Sequence, residues 1–153
     1  MNCRKFRNTV IVASLAALSV SAFAAGKCHF DSQTGVGFGD YSIFSTAPNN
    51  SGVGSLRINC NGGQKHSIVV TLSAGHSNGY AQREMTSGRN SLKYNIYTSA
   101  ARSVVWGDGT GGSSKMIVDG DKSTILDVFG QIPAGQDAGV GSYTDNILVT
   151  VEF

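Results

Sequence analysis

Ser77 is the residue whose setting first suggests chemistry. It lies in "GHSNG", Gly75 to Gly79, which fits G-x-S-x-G, the pattern that lifts a nucleophilic serine onto a sharp strand-to-helix turn in α/β-hydrolases. That machinery needs a helix after the serine, a parallel sheet with crossover helices, and a histidine later in the chain. No helical period follows Gly79, and the last histidine, His76, precedes the serine. The stretch therefore reads as a polar loop. "GVGFG" at 35 to 39 has glycine spacing like a dinucleotide loop but lacks the full fingerprint and the following helix. Gly35, Gly37 and Gly39 suit a bulge or close backbone packing better. "DGDKS" at 119 to 123 opens like a calcium loop, yet its twelfth position is Gly130, where a bidentate glutamate is required. A turn between strands is the plainer reading. His29, His66 and His76 show no ligand spacing, and no two carboxylates stand at a recognisable catalytic separation. Trp106, the only tryptophan, reads as core or as a strand-end anchor before it reads as a sugar platform. The expectation is a protein without catalytic residues, metal site or cofactor.

The elements around these stretches are strands and turns. "SLRINC" sets Leu56, Ile58 and Cys60 against Arg57 and Asn59; "SIVVTLS" is short and β-branched; "SLKYNIY" sets Leu92, Tyr94 and Ile96 against Lys93, Asn95 and Tyr97. "TILDVFGQI" and the terminal "YTDNILVTVEF" keep the same two-residue period. Glycine-rich punctuators such as "NNSGVG", "SAGHSNG", "GDGTGG" and "AGQDAGVGS" separate them. No window of 11 or more residues carries a helical period, and there is no internal repeat. Several short strands in one domain argue a β-sandwich.

The first residues read as a leader. Arg4, Lys5 and Arg7 precede the uncharged run "TVIVASLAALSV", and Ala22 and Ala24 are the small residues of a cleavage site: a secretory signal peptide over 1–24. The apolar run, about 12 residues, falls short of the roughly 20 that span a bilayer, and no later segment is long and apolar enough. Cleavage leaves one domain, 25–153, with nine basic residues against ten acidic ones, a net charge of −1. Neither nucleic acid nor membrane insertion is expected. Cys3 departs, leaving Cys28 and Cys60, an even pair that in an exported chain reads as one disulfide. Its loop stabilises the fold by roughly 3–4 kcal/mol on the chain-entropy estimate.

In the terminal strand Ile147, Val149, Val151 and Phe153 point one way, and Leu148, Thr150 and Glu152 the other. Such a strand needs a partner for its edge and cover for its apolar face; burying about four large side chains contributes on the order of 6–12 kcal/mol.

The stretches "FGDY" (38–41), "LSAG" (72–75), "REM" (83–85), "LKYNIY" (92–97), "WGDGT" (106–110), "FGQIPAGQ" (129–136) and "GSYTDNILVTVEF", with Cys28 and Cys60, span nearly all of 28–153. Together they resemble the spore coat protein U domain, the unit of archaic (biofilm-type) chaperone–usher pilins. The resemblance implies an all-β, incomplete immunoglobulin-like sandwich that lacks its final strand and is completed by donor-strand complementation. Ile147, Val149, Val151 and Phe153 would then border the acceptor groove. The implied partners are a periplasmic chaperone, an outer-membrane usher and neighbouring pilin subunits, on a route through the periplasm to a surface fibre or coat. Only Ala25, Gly26 and Lys27 stand between the expected cut and Cys28, a reach of about 10 Å. On this reading the segment is too short to donate a strand, which suits a terminal or minor subunit, or a coat protein that does not polymerise head to tail. The alternative is an adhesive, glycan-binding module using loops such as "SAGHSNGY" and "WGDGTGG".

Overall fold

The computed structural model describes residues 7–12, 28–60, 67–120 and 122–152. Among them the regular structure is β throughout. The strands are β1 (Arg7–Val12), β2 (Cys28–Gly37), β3 (Val53–Cys60), β4 (Ser67–Leu72), β5 (Arg83–Ser87), β6 (Asn90–Tyr97), β7 (Met116–Asp119), β8 (Thr124–Gln131) and β9 (Ile147–Glu152). One sheet runs β1-β9-β4-β7 and the other β2-β3-β8-β6-β5, all pairs antiparallel. This is an immunoglobulin-like β-sandwich.

Period-two alternation supplies the core. Leu56, Ile58 and Cys60 of β3, Ile68, Val70 and Leu72 of β4, Leu126 and Val128 of β8, and Val149 and Val151 of β9 are all buried. In β6 the expected inward set, Leu92, Tyr94 and Ile96, is buried as well, but so is Asn95 on the opposite face. Thr150 is likewise buried on the face of β9 read as outward; it is flanked by Thr71 of β4 on one side and Thr9 of β1 on the other.

Trp106 ties the two sheets together. It is fully buried. Its backbone N–H donates to Ile96 O in β6 (2.9 Å), and its indole Nε1 donates to Val70 O in β4 (3.0 Å). The expectation of a core anchor holds, and the same burial removes this ring as a surface platform for sugars.

The glycines of "GVGFG" accompany a bulge, as expected: the β2–β3 register shifts between Thr34 and Gly37. Close packing falls instead on their neighbours. A Cβ at Gly130 would sit 2.5 Å from the Phe38 ring, and one at Gly52 only 2.4 Å, so these two glycines make room for that ring. "DGDKS" joins β7 to β8, a connection between strands; Asp121 lies outside the described residues.

The sequence reading placed no strand in the leader, yet residues 7–12 form β1, paired with β9 over its whole length from Arg7↔Glu152 to Val12↔Ile147. Residues 13–27, which include the expected cleavage site, and the terminal Phe153 lie outside the described residues.

Candidate strand-acceptor groove

Between β2, the edge strand of one sheet, and β9 in the other, the sandwich opens into a cavity of about 680 Å³. Its apolar wall is drawn from five strands: Leu56, Leu72, Met85, Ile96 and Val128. Val36 stands on the β2 side, and Ile147 and Val149 on the β9 side.

Of the residues expected to border a groove, Ile147 is half-buried and lines the cavity, Val149 is 1% exposed and lines it too, and Val151 is 2% exposed beyond its end. Phe153 is outside the described residues. The disulfide between Cys28 and Cys60 is formed. It joins the first residue of β2 to the last of β3 across a paired position, so it fastens the strand that forms one lip of the opening.

The chain's own segment β1 covers the outer edge of β9. Val10 stands opposite Val149, and Val12 opposite Ile147. The edge of β9 thus takes an antiparallel strand, apolar in its second half, in unbroken register, which is what an unpaired ladder of N–H and C=O groups favours.

One end of the cavity is polar. The Tyr94 hydroxyl donates to Asp145 Oδ2 (2.6 Å), and Asp145 Oδ1 accepts the backbone N–H groups of His76 (2.9 Å) and Asn146 (2.7 Å). Gly75, at φ 68°, lies against that carboxylate: a left-handed backbone with no room for a Cβ. Burial, then the bond and charge of Asp145, push the Tyr94 phenol well above its ordinary value. The hydroxyl therefore stays a donor at every physiological pH.

Behind this end lies Arg83, fully buried. It donates through Nε and Nη2 to Ser73 O (3.1 and 2.8 Å), through Nη2 to Trp106 O (2.7 Å) and through Nη1 to Asn95 Oδ1 (2.7 Å). The Tyr80 ring sits 5.2 Å from its Cζ, within cation–π range. Asn95 in turn donates to Tyr80 O (2.9 Å), so one guanidinium pins the "SAGHSNGY" loop to β6 and to Trp106. Burial pulls Arg83 below its ordinary value, while the tyrosines and Asp145 act the other way; a guanidinium stays charged nonetheless. "REM" marked Arg83 in the sequence without revealing a role. A charged residue opening a short strand is the signal that could have found it.

Ser77 sits in that pinned loop. Its backbone N–H bonds Ala74 O (3.3 Å), its Oγ is buried with no hydrogen-bond partner, and His76 beside it is exposed. Nothing in this arrangement prepares a nucleophile: the described residues show no base bonded to the serine.

Comparison with known proteins agrees with this architecture. A family model described as Spore Coat Protein U domain matches residues 14–150. The chain belongs to the spore coat protein U domain family. It is also similar to "Protein U" of Myxococcus xanthus, with 27% identity over 151 residues, covering 89% of this chain and 83% of that protein. Membership in this family points to a structural subunit of the coat or pilus type.

Proposed function

We propose that this chain is an exported structural subunit of a surface fibre or coat, whose sandwich is completed by a strand from another polypeptide lodged beside β9. In the cell a periplasmic chaperone would hold the groove first. A neighbouring subunit would replace it at an outer-membrane usher, with no cofactor and no catalytic step. One observation carries the reading: the strand now covering β9 is Arg7–Val12, inside the segment whose composition marks it for removal. Without it, the outer edge of β9 faces water, next to the apolar wall of the 680 Å³ cavity. An exposed edge of that kind invites pairing with another chain.

The test uses the processed protein as its host exports it, unfolded with the disulfide intact and returned to native conditions with or without a synthetic strand peptide. Aggregation alone, and a soluble species with a cooperative melt when the peptide is present, is the expected result. A soluble monomer that melts cooperatively without any peptide contradicts the proposal.

A further inference from the structure

We propose that Gln33 is a specificity-determining residue of this groove, and that the strand entering it carries a hydroxyl side chain at the inward position that meets Gln33. The inference rests on the groove being a strand acceptor.

Cys28, Phe30, Val36 and Phe38 along β2 and its continuation belong to or pack against the core. Gln33 interrupts this apolar row. It stands opposite Leu56, which is 4% exposed, and partners on paired strands share a face; Gln33 therefore turns inward and lines the cavity. Its Oε1 is buried without a hydrogen-bond partner. The large majority of buried side-chain polar atoms in folded proteins are paired, so the orphan marks a place where a partner belongs.

The chemistry of that partner follows from direction. Backbone N–H groups of an inserted strand lie in the sheet plane: every second one serves the ladder with β9, and the others point outward along the edge, away from the core face. Gln33 points across the face, so only an inward side chain can reach it. The surrounding wall of Leu56, Leu72, Ile96, Val128 and Val149 suits aliphatic residues at the other inward positions. A short hydroxyl fits where a valine would, and it both donates and accepts, so it serves Gln33 in either orientation of the amide.

Processed protein with its disulfide intact is refolded with synthetic strand peptides that have valine at every inward position, and with versions in which a single Val→Thr exchange is moved along the peptide. One position is expected to favour threonine by about tenfold in Kd, the scale set by one buried hydrogen bond gained, and the other positions to favour valine. Gln33→Met abolishes that preference, whereas Gln33→Glu, which keeps an acceptor, retains it. No threonine-favouring position, a preference that survives Gln33→Met, or its loss in Gln33→Glu overturns the proposal while leaving the acceptor groove standing. Failure of every peptide to bind overturns the groove reading itself, and this inference with it.

Discussion

Two polar side chains, Arg83 fully buried behind the cavity and Gln33 half-buried at its mouth, treat the same physical problem in opposite ways. Arg83 reaches three acceptors with four hydrogen bonds and an aromatic face, so its desolvation is offset inside the chain. Gln33 has a buried oxygen with nothing to bond. Arg83 is satisfied by the chain's own residues, whereas the front, between β2 and β9, holds a cavity and an orphan acceptor; the loop that Arg83 pins keeps one unpartnered atom of its own, Ser77 Oγ. The proposed acceptor role takes the orphan amide oxygen as the place that another polypeptide's side chain would fill.

The largest expected effect attacks the Arg83 side. Arg83→Met removes the guanidinium bonds to Ser73 O and Trp106 O and leaves Asn95 Oδ1 with the Ile96 N–H alone, and should lower the stability of the strand-completed protein by about 3–5 kcal/mol, read from the urea midpoint. Gln33→Met in the same assay should cost only about 1.4 kcal/mol, the tenfold preference expressed as free energy. Comparable losses would erase the contrast between the two ends.

Reducing Cys28–Cys60 frees β2 from β3 at the groove's lip. The expected cost is roughly 3–4 kcal/mol, measured by the same denaturation, together with faster amide exchange in 28–37 than in β4 or β6. Uniform loss of protection across both sheets would show that the disulfide holds the whole domain and not its front edge.

A smaller effect lies in alkali. Tyr94 has its folded-state pKa raised above the ordinary 10.0 by burial and then by Asp145, so the unfolded chain releases this proton first. Its contribution is intact below about pH 10 and is lost as pH climbs above that, at no more than about 1.4 kcal/mol per pH unit. Tyr80, raised by its own burial and by Asp108, pulls the same way. Tyr94→Phe should flatten the decline by one proton's share; an unchanged slope would separate Tyr94 from the polar end of the cavity.

Alternation made β3, β4, β6, β8 and β9 readable in the sequence, because each carries aliphatic or aromatic residues every second position. β5 and β7 escaped for lack of length: "REMTS" has one apolar residue, and "MIVD" is a single four-residue run. β2 escaped for a different reason. Its register shifts between Phe30 and Ser32 and again between Thr34 and Gly37, and each bulge moves the residues beyond it to the opposite face. Strict alternation from Phe30 would have turned Ser32 and Thr34 inward; the first bulge turns Gln33 inward instead. The groove's aliphatic border at Ile147, Val149 and Val151 was therefore legible, while its polar determinant was not. The Tyr94–Asp145 pair was hidden as well, since 51 residues separate its members. Neither residue's neighbours in sequence announce the contact.

The central claim concerns who supplies the strand beside β9. An experimental structure of the processed protein within its native assembly reads this directly. The account predicts that the backbone paired alongside Val149 and Val151, opposite β4, belongs to a different polypeptide; a strand from the same processed chain in that place would contradict it.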